Sequence, residues 1–155
     1  MSKAISLDAA TVVTQLSKRT LWRRLSDGQI TRQGNDEEGR TMLTFTDIAP
    51  MLCVPVASED YDLLIEAAAG DAESQNNLAL LFLDADKPEI GLHWLTMAAD
   101  QGHPDAMHHL SKLYIKGTGT KKDESTGLMW LAKAASLGHI IASQQITALT
   151  QVRKA

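Results

Sequence analysis

The 155-residue sequence contains one cysteine, four prolines and no low-complexity tract. A single thiol cannot form an internal disulfide, so a disulfide-stapled fold is excluded and a reducing compartment is favoured. Cys53 lies in the apolar stretch MLCVPV, where a small buried side chain is a more common role than a reactive thiol. The composition, 44% hydrophobic and 22% charged, is that of a globular protein with a buried core.

Long hydrophobic runs are missing as well. The opening MSKAISLDAATVVTQLSKRT has no continuous apolar stretch of the roughly 7 to 15 residues found in secretory signals. Nowhere do about 18 apolar residues follow one another, as a membrane-spanning helix requires. We therefore expect a cytoplasmic protein without membrane association.

Signatures of catalysis and of metal binding are also absent. The stretch GTGTKK at Gly117 lacks the spacing GxxxxGK[ST] of a phosphate-binding loop, and no GxSxG or paired-carboxylate pattern occurs. The five histidines do not follow ligand spacings, since His108 and His109 are adjacent and project about 100° apart on a helix. The sequence predicts a protein that is not an enzyme and has no metal or cofactor; an enzyme would need a cleft of converging titratable groups.

The net charge of −4 is unevenly distributed along the chain. Residues 1–52 contain seven Lys or Arg and six Asp or Glu, whereas residues 53–155 contain eight and thirteen. This asymmetry favours two modules with different partners.

The sequence does contain an internal repeat. GLHWLTMAADQGH, from Gly91, is nearly duplicated by GLMWLAKAASLGH, from Gly127, and Trp94 and Trp130 lie 36 positions apart. Apolar residues three and four apart, such as Leu110, Leu113 and Tyr114, predict two amphipathic helices in each unit. Three glycines, Gly70, Gly102 and Gly138, are expected to end helices in a left-handed conformation, and Pro104 is expected in the first turn of the next helix. Asp86, together with Glu89, and Asp123 are candidate N-caps.

The segments AMHHLSKLYIKGTG and GLMWLAKAASLGH resemble a Sel1-like repeat, a relative of the tetratricopeptide repeat, and the resemblance extends over roughly residues 58–150. It implies a right-handed α-solenoid that binds other proteins. Two complete units have a half-unit on each side, close to the minimum of about three repeats needed for stability. We therefore expect the N-terminal segment to pack on the helix that starts near Ser58.

One surface of this solenoid is a candidate partner-binding site. Aligning the first helix of each unit places polar pairs in the same two columns: Asn76 and Asn77, His108 and His109, Gln144 and Gln145. Stacked repeats set such columns side by side, and a polar ladder can hydrogen-bond an extended peptide. The alternative is that these side chains are solvated or bond between repeats.

The N-terminal segment does not follow the repeat. Two short amphipathic segments separated by a turn near Gln15–Ser17 are followed by a hairpin with the tip GNDEEG and a short helix capped by Thr46. The motifs SKRTLWRRLSDGQI and FTDIAPML resemble a MerR-like or excisionase-like winged helix-turn-helix module. That resemblance implies DNA binding by the second segment, through Lys18, Arg19, Arg23 and Arg24.

The charge of this module leaves an alternative open. Its net charge is only +1, and the hairpin tip Asp36-Glu37-Glu38 has the wrong sign for a phosphate backbone, unless Arg32 and Arg40 pair with these acids. A head that contacts protein instead of DNA is the alternative.

The sequence thus predicts a mainly α protein: a winged helix-turn-helix domain with one β-hairpin at 1–53, a linker at 54–57 and a Sel1-like α-solenoid at 58–155. The functional hypothesis is a bacterial regulator or adaptor that binds a protein or peptide through the solenoid and can bind DNA through the head. The alternative is a pure protein–protein adaptor without nucleic-acid binding.

Overall fold

The computed structural model describes residues 3–154, and their side chains up to residue 152. The chain divides into two compact units, one ending at Gly70 and the other beginning at Asp71. Each unit has its own secondary structure and core.

The N-terminal unit combines short helices with a small sheet. Its strands form an antiparallel sheet in the order β1-β3-β2, and short 3-10 turns occupy Ala49–Met51 and Ser58–Asp60. The elements in chain order are β1 Ala4–Ser6, α1 Leu7–Thr14, α2 Lys18–Ser26, β2 Arg32–Asn35, β3 Thr41–Thr44, α3 Phe45–Ile48 and α4 Tyr61–Ala69.

Local capping explains where the first helices begin. The Ser6 hydroxyl accepts from the Ala9 N–H at the start of α1, and Ser17 accepts from the Thr20 N–H at 3.1 Å at the start of α2. Gln15 takes a left-handed conformation with φ 57° and ends α1. The predicted turn at residues 15–17 and the predicted cap of α2 are therefore confirmed.

Two details of this unit differ from the sequence prediction. The helix α3 begins at Phe45 with Thr44 at its N-cap position, so the prediction that Thr46 is the cap is wrong. Phe45 is buried in the core and Thr46 is an exposed residue within the helix. Strand β1, which pairs Ile5 with Leu43, was not predicted, because three residues are too few for an alternating pattern to stand out.

Helix α4 packs within the N-terminal unit, against β1. Lys3 forms an ion pair with Asp62, and the rings of Phe45 and Tyr61 meet edge to face with centroids 5.1 Å apart. This is the packing expected between the N-terminal segment and the helix near Ser58. The compact unit thus includes α4, whereas the predicted linker lies at 54–57; the limits of the independently folding domains stay a prediction.

The C-terminal unit consists of helices that pack on their neighbours in sequence. Helix α5 packs on α6, α6 on α7, α7 on α8 and α8 on α9. The pairs α5–α6 and α7–α8 are the predicted helical hairpins, and α9 is the following half-unit. The bounds are α5 Ala72–Asp84, α6 Pro88–Asp100, α7 Pro104–Lys116, α8 Glu124–Ser136 and α9 Ile140–Lys154.

Glycine lets the two helices of each hairpin approach closely. A Cβ at Gly91 would lie 2.7 Å from Leu83 Cγ, and a Cβ at Gly127 would lie 2.5 Å from Ile115 Cγ1. Equivalent residues of the two repeats therefore make equivalent contacts. The repeated tryptophans differ in burial: Trp94 is fully buried, whereas Trp130 is half-buried with Lys133 Nζ 4.7 Å from its ring centroid.

The predicted boundaries of helices α4 to α9 are mostly confirmed. Gly70, Gly102 and Gly138 all have positive φ, and Pro104 is the first residue of α7. Asp123 caps α8 by accepting from the Thr126 N–H at 3.1 Å. The Asp86 cap is wrong: Lys87 occupies the N-cap position of α6, and Asp86 takes a left-handed conformation with φ 58°.

Candidate functional site

The candidate binding surface belongs to α5, α7 and α9, the first helix of each unit. The residue after each left-handed glycine directly precedes one of these helices, and its side chain accepts from the third N–H of that helix. Asp71 accepts from Ser74 at 2.8 Å, His103 Nδ1 from Ala106 at 3.2 Å and His139 Nδ1 from Ala142 at 3.1 Å. This shared cap fixes the register of the polar columns that follow.

The structure separates the two predicted columns by burial. Asn76 and His108 are buried, Asn77 is exposed and His109 is half-buried. On α9 the corresponding Gln144 and Gln145 are both exposed. The second column, Asn77, His109 and Gln145, is therefore the more accessible one.

One hydrogen bond joins the columns of successive units. His108 Nε2 lies 3.0 Å from Gln145 Oε1 and connects α7 to α9. The His108 ring also stacks on His139, with centroids 4.5 Å apart. At this step the polar side chains bond between repeats, which is the alternative that the sequence left open.

Burial controls the ionisation of the two histidines on α7. It lowers the pKa of His108 and His109, and the positive charge of Lys112 lowers both further. The hydrogen bond to Gln145 opposes this effect at His108. A neutral imidazole has one donor and one acceptor, so His109 can take either role toward a partner.

An apolar groove lies between α7, α8 and α9, beside Gln145. Its volume is about 480 Å³, within the range of roughly 300 to 1,000 Å³ that is typical of ligand sites. The polar contributors are Ser111, Lys112, Glu124 and Gln145, and the apolar ones are Ile115, Leu128, Leu131, Ala148 and Leu149. The sequence pattern assigned several of these residues to helix stripes, but the groove was missed because its shape depends on how three helices pack.

A second cavity of about 300 Å³ shares Lys112 with the groove. His109 lines it, together with Lys116 and one acidic residue, Asp86. Lys112 and Lys116 are exposed on α7. His109 therefore lines a cavity that adjoins the groove at Lys112.

The structure distinguishes the four basic residues predicted to bind DNA. Arg19 and Arg23 are exposed on α2, and within the described residues neither forms an ion pair. Lys18 pairs with Asp8 at 2.8 Å, and the half-buried Arg24 donates to Met51 Sδ at 3.1 Å. Two of the four side chains are thus engaged within the unit itself.

The acidic hairpin tip is partly neutralised. Arg40 pairs with Asp36 at 2.6 Å and with Glu38 at 3.2 Å. Burial acts in the opposite direction, but hydrogen bonds and the charge of Arg40 hold the pKa of Asp36 below its usual value. Arg32 instead donates to Asn35 at 2.6 Å, so only one of the two predicted arginine pairings forms.

Two features are absent from the described residues. Across the part of the chain that the structure describes, no three His, Cys, Asp or Glu side chains converge on a point where a metal ion could sit. Over the same residues, no helix has both the length and the apolar character needed to cross a bilayer.

The repeats of the C-terminal unit are similar to those of known proteins. The Sel1 repeat family model matches residues 72–103 and 104–139. No curated protein matches the chain significantly.

Two solved structures share the fold. A Sel1 repeat protein from Oxalobacter formigenes is 26% identical, with a TM-score of 0.52 over 55% of this chain and 36% of that chain. A protective antigen of uropathogenic Escherichia coli strains, which displays an SLR fold, is 20% identical, with a TM-score of 0.54 over 93% of this chain and 32% of that chain. This chain spans about a third of the length of each. The two helical hairpins between Ala72 and His139 are thus similar to Sel1 repeats.

Proposed function

We propose that this protein is a non-enzymatic adaptor whose Sel1 repeats bind a partner protein through an extended segment. Sel1 repeats are generally protein–protein interaction modules, which supports binding but does not name the partner. The observation that carries the proposal is the apolar groove of about 480 Å³ beside the accessible polar column.

The groove and the column have complementary roles in this proposal. The groove accommodates an aliphatic or aromatic anchor, and Ile115, Leu128 and Leu149 remove that anchor from water. The side chains of His109 and Gln145 in the polar column hydrogen-bond the main chain of the bound segment. Lys112 lines both cavities and favours a carboxylate next to the anchor.

The test compares two exposed apolar residues with similar accessibility. Leu149 lines the groove and is 46% exposed, whereas Met129, 42% exposed on α8, does not line it. Quantitative pull-down from a bacterial lysate is expected to recover a partner with wild type and Met129→Glu, and to lose it with Leu149→Glu. If His109→Ala still recovers more than half of the partner, the polar column is not part of the binding site. Equal recovery by all variants would overturn the groove proposal.

A second candidate function, DNA binding, applies to the N-terminal unit. It is favoured by Arg19 and Arg23, which are exposed four residues apart on α2 and therefore lie on one helix face. Duplex DNA binding is measured across a salt titration that starts at about 50 mM, where phosphate contacts are strongest. DNA binding is supported if the wild-type protein has a detectable affinity that Arg19→Ala and Arg23→Ala abolish. The control Arg32→Ala should leave that affinity unchanged. No affinity for any duplex at low salt favours the pure adaptor.

A further inference from the structure

Two stacked imidazoles connect α9 to α7. His108 lies on α7, and His139 directly precedes α9. Their ring centroids are 4.5 Å apart and their planes are inclined by 29°. Both rings are largely shielded from solvent, because His108 is 4% exposed and the His139 side chain is 12% exposed.

The two nitrogens of His139 have different partners. Nδ1 accepts from the Ala142 N–H at 3.1 Å and so caps α9, which requires that Nδ1 has no proton. Nε2 lies 3.0 Å from Asp105 Oδ1 and therefore carries the hydrogen. A second proton on this ring would remove the helix cap. It would also place a positive charge at a helix N-terminus, where the helix dipole disfavours it.

The second imidazole adds to this effect. His108 Nε2 lies 3.0 Å from Gln145 Oε1 on α9. Burial lowers the pKa of His108, and the positive charges of Lys112 and of a protonated His139 lower it further. Two imidazolium rings at the observed separation repel each other, so protonation of both opposes the packing of α9 on α7.

Two other titratable groups of α7 lie near the pair: the Asp105 carboxylate opposes the repulsion, and a protonated His109, with its ring centroid 6.0 Å from that of His108, adds to it. Asp105 is the one acidic group facing the rings from α7, and its exposed carboxylate is screened by solvent. Helix α9 has no ionisable side chain from Ile140 to Val152. The charged or titratable groups of α6 and α8 form no ion pair with either ring in the described residues; they are Glu89, His93, Asp100, Glu124 and Lys133.

We propose that the His108–His139 pair is a pH-sensitive joint that holds α9 against α7 at neutral pH and releases it under mildly acidic conditions. Because α9 supplies Gln145, Ala148 and Leu149 to the groove, acidification would open one wall of the binding site. This consequence for binding rests on the proposed function, whereas the joint itself does not.

The pH range follows from linkage. The folded state favours neutral His108, so the unfolded or detached state binds more protons once the pH falls below the unperturbed histidine pKa of about 6.5. The stability of the joint is therefore complete above that value. It is lost as the pH falls from there toward the lowered pKa of the folded state.

The experiment is hydrogen exchange on the full chain, with protection factors for α9 compared with those for α5 at about pH 7.5 and about pH 5.5. Helix α5 is the internal reference because Asp71 caps it. In wild type, protection of α9 is expected to fall about fivefold relative to α5, the factor that corresponds to the roughly 1 kcal/mol of a lost N-cap. His139→Asn retains a cap acceptor but cannot be protonated, so most of this fall should disappear.

His103→Asn is the matched control, since His103 caps α7 in the same way and stacks on no other ring among the described residues. This variant should show the wild-type fall in α9. An unchanged ratio in wild type, or the same fall in His139→Asn, would overturn the proposal. If His139→Asn does not fold, His108→Gln replaces it, because glutamine removes the second titrating ring. No partner is needed, so a failed groove proposal leaves this result interpretable.

Discussion

The position after each helix-ending glycine sets the chemistry of the next helix start. Asp71 uses a carboxylate there, and His103 and His139 use an imidazole. Hydrogen bonds from Ser74 lower the pKa of Asp71. Its cap is therefore fully formed at any pH above the usual aspartate pKa, and it is lost as the pH falls through the lowered pKa. One column of the repeat thus uses both a carboxylate and an imidazole as helix cap.

The tautomer of His139 is a direct prediction at this scale. Because Nδ1 accepts from the Ala142 N–H, the neutral ring should carry its hydrogen on Nε2. Nitrogen chemical shifts of the imidazole at about pH 7.5 distinguish the two tautomers. A hydrogen on Nδ1 would contradict the cap described above.

Gly127 provides a second prediction at the residue scale. A methyl group there would lie 2.5 Å from Ile115 Cγ1 and 3.0 Å from the Ser111 carbonyl oxygen. Gly127→Ala should therefore lower the free energy of unfolding by about 1 to 3 kcal/mol through overpacking, despite the better helix propensity of alanine. Urea denaturation measures this change, with Met129→Ala on the same helix as the control. A free energy of unfolding at or above the wild-type value would show that α7 and α8 can move apart without loss of stability.

At the scale of elements, sequence reasoning succeeded where a signal is local. Periodic leucines, left-handed glycines and short polar caps predicted α5 to α9 and the helices of the N-terminal unit. It failed where a competing local geometry decides, as at Asp86, whose left-handed conformation moves the helix start to Pro88. The groove and the His108–Gln145 bond could not be predicted, because both depend on the spacing between helices rather than on any one of them.

The start of α2 is testable at this scale. The Ser17 hydroxyl accepts from the Thr20 N–H at 3.1 Å and lies 2.9 Å from the Thr20 hydroxyl. Ser17→Ala should cost about 1 kcal/mol of unfolding free energy, which chemical denaturation can resolve. Ser26→Ala, in the last turn of the same helix, should change it by less than about 0.5 kcal/mol. Similar losses in both variants would assign the effect to helix composition instead of capping.

For the whole molecule, the division into two units has a consequence for truncation. Leu64 and Ala67 of α4 are fully buried, and α4 packs within the N-terminal unit. A protein beginning at Ser58 should therefore expose this apolar face and lose stability and cooperativity in thermal melting. A melt as sharp as that of the full-length chain would refute the packing. A protein beginning at Asp71 keeps the α5 cap and serves as the comparison.

The neighbour-to-neighbour packing of α5 to α9 also determines where opening begins. Within the described residues no helix follows α9, so its fraying costs only its contacts with the preceding helices, and the inner hairpins stay intact. Substitutions in α9 can thus adjust the residence time of a bound partner over a wide range while the array upstream keeps its melting behaviour.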